Sequence, residues 1–201
     1  MTDCVTPLIL TWNEAPNITR CLDKLRWAKR VVVIDSGSTD NTEQLARAFS
    51  NVEFIVRSFD NHTAQWNFGL AQIASPWVLS MDADYILDSD FEQELATRTV
   101  ELTISAWMAR FHYVISGLRL RGSLYPPRAV LFQKAKCRYV PDGHTQRLEI
   151  EGPSSFLNAV IDHDDRKPLS RWILSQDAYA KLEAVKLMEA DLGAPKITGP
   201  P

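Results

Sequence analysis

At 201 residues, with 45% hydrophobic and 23% charged side chains, the chain has the make-up of one globular domain able to bury a sizeable core. A net charge of −3 gives no global field that would gather nucleic acid, and the three widely spaced cysteines Cys4, Cys21 and Cys137 form no disulfide framework or zinc-ligand pattern. The opening MTDCVTPLILTW lacks the basic and apolar regions of a signal peptide, and no run reaches the roughly 20 apolar residues of a membrane-spanning helix, so the expectation is a cytoplasmic protein.

In chain order, Pro7 to Trp12 reads as a buried strand, and Pro16 suits a first helical turn. Ile18, Leu22 and Leu25 follow at helical spacing. Val31 to Ile34 is a β-branched run typical of a strand covered on both faces. Asp40 with Glu43 three residues on resembles a capping box, with Leu45, Ala48 and Phe49 as the buried face of the helix that follows. Val52 to Val56 is a third strand. Thr63 to Ala74 fits a helix, against which Gly69 weighs. Trp77 to Met81 is a fourth strand that ends directly at Asp82. This alternation predicts an α/β fold, a three-layer sandwich with a mostly parallel central sheet and helices on both faces.

Past residue 90 the pattern changes. Phe91 to Val100 reads as a helix and Thr103 to Ser116 as a long strand, with Gly117 and Gly122 at hairpin turns. Ala129 to Phe132, Gln146 to Ile150 and Leu157 to Ile161 are further strands. Leu169 to Leu192 is a terminal helix whose apolar stripe is expected to pack on the core, with a membrane or partner surface as the second reading. The expected organisation is one domain over residues 1–192, with a donor subregion over 1–100, an acceptor subregion over 101–192 and a disordered tail over 193–201.

In a parallel sheet of this kind, ligands sit beyond the carboxyl ends of the strands. There lie Asn13-Glu14, the segment Asp35 to Asp40, and Asp82-Ala83-Asp84. Carboxylates two residues apart on a turn can aim at one Mg²⁺ or Mn²⁺, which completes its shell with phosphate oxygens. Alone, such a pair is as readily a solvated turn. Its register with two other polar strand ends points instead to a cation site. The segment IDSGSTDNT can offer N–H groups and hydroxyls to an anion or a ribose, or it can simply cap a helix.

The residues TWNE, DSGSTDNT, AQWNFGL and MDADY, in that order, resemble glycosyltransferase family 2, and within it small bacterial enzymes acting on lipopolysaccharide core. The resemblance is dense over residues 5–90 and thinner over 110–180. It implies a GT-A fold, a nucleotide-sugar donor, a Mg²⁺ or Mn²⁺ ion, and transfer with inversion to a glycan or lipid-linked acceptor in cell-envelope synthesis. It also implies roles: Thr11, Asn13, Glu14, Asp35 and Ser36 lining the nucleoside pocket, Gln65 and Asn67 facing the donor, and Asp82 and Asp84 at the metal and diphosphate. Ser36 stands where many relatives carry a second acid, which leaves the nucleobase open, and Tyr85 stands where relatives often read a further acid.

An inverting transfer needs a base for the acceptor hydroxyl. VPDGHTQRLEIEG supplies two candidates, Asp142 and His144, and His144 can also be a hydrogen-bonded loop histidine. In IDHDDRKPLSRW, His163 is a candidate third ligand to the cation, and Arg166 and Lys167 are candidates to neutralise the diphosphate. Arg128 in YPPRAVLF resembles a family position at the donor–acceptor junction. A nucleotidyltransferase is a weaker rival, because TWNEAPN lacks the glycine- and base-rich loop such enzymes carry after the first strand. A module that binds the donor without turnover is the other. The expected partners are therefore a nucleotide-sugar and a glycan or lipid-linked acceptor, no nucleic acid, and peripheral contact at the inner face of the cytoplasmic membrane.

Overall fold

A computed structural model describes residues 4–99, 101–122, 126–142 and 145–193. Its elements in order are β1 (Val5–Thr11), α1 (Ile18–Asp23), β2 (Val31–Asp35), α2 (Thr42–Arg47), β3 (Val52–Val56), α3 (His62–Ala71), β4 (Trp77–Asp82) and β5 (Tyr85–Leu87). Then come α4 (Phe91–Arg98), β6 (Ala106–Ile115), β7 (Leu118–Arg119), β8 (Arg128–Gln133), β9 (Cys137–Asp142), β10 (Thr145–Ile150), β11 (Ser154–His163) and α5 (Leu169–Gly193). One nine-stranded sheet runs in the order β3-β2-β1-β4-β8-β6-β11-β5, with β7 paired to β6.

The first four strands are parallel, as the alternation predicts. Beyond β4 the sheet becomes mixed: β8 enters antiparallel between β4 and β6, and β11 runs parallel to β6. The β9–β10 hairpin forms a separate two-stranded sheet.

Strand alternation divides the core into two layers. Val31 and Val33 pack with Ile9, Ile18, Leu22, Leu25 and Phe49 under α1 and α2, and Phe91 and Leu95 of α4 join the same layer. Val32 and Ile34 pack with Leu8, Trp66, Leu70 and Tyr139 under α3 and β9. A strand buried on both faces needs apolar residues at every position, which is why VVVI is unbroken. Gly69 is a packing requirement here: a Cβ at that position would stand 2.6 Å from Leu8 Cδ1. The helix is thereby drawn close onto β1.

Three expectations are corrected. The buried face of α2 is Thr42 and Ala46, with Phe49 beyond its end, while Leu45 is half-buried and Ala48 exposed. Asp40 does not stand at the N-cap, which is Asn41; its carboxylate accepts instead from the Thr42 and Ala15 amides. The apolar residues of α5 do not pack on the core: Leu169, Ile173, Leu187 and Met188 are each more than half exposed. The helix is held at its start by Arg171, which donates to the Trp12 and Asn13 carbonyls and lies over the Trp12 ring, and further along by the Lys186–Asp142 pair.

Candidate active site

The parallel register sets Thr11 beside Asp35 and Leu10 beside Asp82, so the polar ends of β1, β2 and β4 meet at one edge of the sheet. Asp35 is almost fully buried there. Its Oδ2 accepts from Thr11 Oγ1 at 2.8 Å and Ser38 Oγ at 2.6 Å, and its Oδ1 from the amides of Gly37 and Ser38 at 2.9 and 2.7 Å. Asn13 adopts a left-handed conformation, φ 53°, and its side-chain oxygen accepts from the Thr39 amide at 2.7 Å. Asn and Asp tolerate that region better than bulkier residues do. The loops after β1 and β2 are thus knitted into one polar frame around Asp35.

Ser36 accepts from Gln65 Nε2 at 3.0 Å, and Gln65 Oε1 also takes a hydrogen bond from Arg57, so Gln65 is fully buried beneath the loop after β2. Asn67 lies elsewhere: its amide donates to the Tyr139 carbonyl at 2.9 Å and accepts from the Tyr139 amide at 3.1 Å, fastening α3 to β9. Both ends of that side chain are therefore committed to backbone.

Asp82 closes β4, and Asp84 follows on the turn into β5. β11 pairs antiparallel with β5, which sets His163 beside Tyr85. His163 Nε2 and Asp84 Oδ2 are 3.1 Å apart, and the ring of Tyr113 meets His163 edge-on at 4.7 Å between centroids. Asp84 Oδ1 is buried with no hydrogen-bond partner. Burial works against the charge on both Asp84 and His163. The hydrogen bond and mutual attraction nevertheless win, holding Asp84 below its ordinary range and His163 above it. Asp82 is pushed up by burial and by the charge of Asp84, against the opposing pull of Arg128 and His163. Arg128, at the start of β8, therefore acts on this acid.

The segment after β11 folds back on the β1–α1 loop. Lys167 Nζ meets Glu14 Oε1 at 2.6 Å. Asn17 donates to Glu14 Oε2 and Asp165 Oδ1 and accepts from the Arg166 amide. Arg20 donates to Asp164 Oδ2 and to its carbonyl, and the Asp164 amide donates to the Asp84 carbonyl. Burial, with the charge of Asp84 adding, raises Glu14 to about 7 although Lys167 pulls the other way. Lys167 is held above its ordinary range by Glu14 in spite of burial. Arg166 pairs with Asp164.

The structure therefore brings Glu14, Asp82, Asp84, Arg128, His163 and Lys167 into one electrostatic neighbourhood beside the Thr11–Asp35–Ser36 frame. Asp142 ends β9 and pairs with Lys186 at 2.7 Å. His144 and Gly143 lie outside the described residues, as does the tail from 194. Asn17, Arg20 and Asp164, which tie the late loop to the first, carried no motif. Their only sequence signal is the density of polar residues beside positions already singled out.

Among the described residues no three His, Cys, Asp or Glu side chains converge as a ready metal cage. A divalent ion of the Mg²⁺ or Mn²⁺ kind does not require one, because it keeps waters and takes phosphate oxygens alongside one or two carboxylates. The unpartnered buried oxygen of Asp84 beside His163 fits that mode of binding.

The mixed sheet, parallel over its first four strands and carrying Asp82 and Asp84 at its carboxyl edge, has the fold of the GT-A glycosyltransferases. The Glycosyl transferase family 2 model matches residues 8–144, and the chain belongs to that family. It is similar to the lipopolysaccharide core biosynthesis glycosyltransferase LpsC of Rhizobium meliloti (strain 1021), 26% identical over 92% of this chain and 72% of that protein. It is also similar to an uncharacterized glycosyltransferase of Rickettsia prowazekii (strain Madrid E), 28% identical over 45% of this chain; the chain matches only 31% of that relative's length. The glucosyl-3-phosphoglycerate synthase of Mycobacterium tuberculosis, in a crystal structure with Mn²⁺, uridine diphosphate and glucosyl-3-phosphoglycerate, shares the fold. Its TM-score is 0.57 at 16% identity, with 85% of this chain and 75% of that one covered.

Proposed function

We propose that the chain transfers a sugar, with inversion, from a nucleotide-sugar to a glycan or lipid-linked acceptor in bacterial envelope or lipopolysaccharide synthesis. The observation that carries this reading is the buried, unpartnered oxygen of Asp84, on a carboxylate whose other oxygen meets His163, two residues past Asp82 at the edge where the Asp35 frame also lies.

In this reading Thr11, Asn13, Glu14, Asp35 and Ser36 form the nucleoside side of the pocket, and Gln65 supports Ser36 from below. Asp82, Asp84 and His163 would hold Mg²⁺ or Mn²⁺; such an ion is present with a nucleotide in the mycobacterial synthase. When bound, it offsets charge on the departing nucleoside diphosphate. Lys167 and Arg166 add positive charge on the same side, and Lys167 changes partner from Glu14 to phosphate when the donor enters. Arg128, whose charge acts on Asp82, faces the donor at its junction with the acceptor. The acceptor hydroxyl loses its proton to Asp142 or His144 as its oxygen attacks the anomeric carbon from the face opposite the leaving diphosphate. For Asp142 to serve, its pairing with Lys186 must open. The setting proposed is cytoplasmic, peripheral at the inner face of the membrane. No described helix is long and apolar enough to cross one.

Calorimetric titration of nucleoside diphosphates and nucleotide-sugars, with Mn²⁺ and with chelator, tests the site. One nucleotide class should bind in a metal-dependent way, and Asp84→Ala should abolish it. Binding that ignores both the chelator and the substitution would refute the cation site.

A further inference from the structure

Beyond the buried Val114 the segment faces solvent. Val114 pairs with Arg119 and Ile115 with Leu118, and the Leu120 amide donates to the Tyr113 carbonyl. Ser116 and Gly117 make the turn with φ of 52° and 82°, the backbone of a tight two-residue hairpin. Cross-strand partners share a face, so Ile115, Leu118 and Leu120 stand on the side of Tyr113, whose ring rests on His163. All three aliphatic side chains are exposed, Leu118 the most at 73%. Arg119 and Arg121 take the other face.

The hairpin does not stand alone. Gly117 lies against the Arg166 guanidinium, 3.9 Å from where a Cβ would be, and Leu169, three residues on, opens α5 with its side chain exposed. The charges around this apolar tip are sorted by depth. Arg119 is 57% exposed over Asp162 at 22%, and Arg166 is 43% exposed over Asp164 at 9%. The guanidinium groups therefore face outward and the acids that hold them lie beneath.

We infer that the β6–β7 hairpin, with the first turn of α5, docks the protein on an anionic lipid surface. Exposed aliphatic side chains on one face of the hairpin, with outward arginines on the other face and Arg166 at the turn, match the apolar and anionic layers of a bilayer interface. A second copy fits less well, because a two-fold contact at this tip would set arginines against arginines. Ile115 is two residues past Tyr113, so the docked tip lies roughly 7 Å along the strand from the ring that contacts His163. Docking would thus hold the carboxylate edge just above the lipid, where a lipid-linked acceptor presents its sugar. That purpose rests on the proposed transfer; the docking itself does not.

Sedimentation of the full chain with vesicles tests it, using phosphatidylcholine alone and phosphatidylcholine mixed with phosphatidylglycerol. The bound fraction should be about tenfold higher on the anionic vesicles and fall with added salt. Leu118→Asp with Leu120→Asp should remove about tenfold of that binding while leaving the melting temperature unchanged, since both side chains are exposed. Absence of wild-type binding, equal binding to both vesicles, or undiminished binding of the double variant would overturn the inference. So would a concentration-dependent dimer in light scattering that the double variant abolishes. Donor titration on the same samples is independent of lipid, so failure of the transferase reading and failure of docking are told apart.

Discussion

Glu14 sits where the first and last loops of the site meet, and its carboxylate is pulled in opposite directions. Burial favours the neutral acid, while the Lys167 ammonium at 2.6 Å favours the carboxylate; burial prevails and the group titrates at about 7. An acid whose folded value lies above its unfolded value, 4.5, makes the folded state the better proton binder between the two. Its contribution to stability is full below pH 4.5 and is lost as pH rises toward about 7, by up to about 3 kcal/mol. Urea unfolding of the wild type and of Glu14→Gln across that window checks this. The wild type should lose stability relative to the variant as pH rises. A gain would mean that the Lys167 pair outweighs burial.

At the scale of elements, α3 is fixed to its neighbours by two contacts of different kinds. Gly69 lets it approach β1, and the Asn67 side chain holds the β9 backbone through two hydrogen bonds. The resemblance assigned Asn67 to the donor; in the structure its amide is engaged in joining two elements. Asn67→Ala leaves the Tyr139 amide and carbonyl without these partners and should cost about 2 kcal/mol of stability. Nucleotide affinity, measured below the new melting temperature, should change less than about threefold, under 1 kcal/mol. Loss of affinity with stability intact would mean that Asn67 serves the donor, as the resemblance implies. The α5 helix illustrates the opposite case, in which apolar residues at helical spacing are left exposed among the described residues.

Over the whole molecule, one sheet carries strands from both halves of the chain, with β8 and β6 following directly on β4. Among the described residues no seam in hydrogen bonding separates the first hundred residues from the rest, and β11 delivers His163 to the acid that follows β4. Unfolding is expected to be a single transition, with far-UV circular dichroism and tryptophan fluorescence coinciding. Two resolved transitions would mean the halves fold as separate units.

The parallel strands, the helices between them and the polar strand ends were readable from the chain alone. Each rests on a short-range pattern: an unbroken β-branched run, apolar residues at helical spacing, acids directly after a strand. The short strand β5, the antiparallel entry of β8 and the separate β9–β10 sheet were not, because pairing joins residues far apart and leaves no local period. Likewise the sequence placed Glu14, Asp84, His163 and Lys167 on three segments without saying which would touch. Only the fold of β11 against β5, and of the following loop against α1, made His163 the partner of Asp84 and Lys167 the partner of Glu14. Burial, which shifts their proton affinities, exists only once those segments have excluded water from the same space.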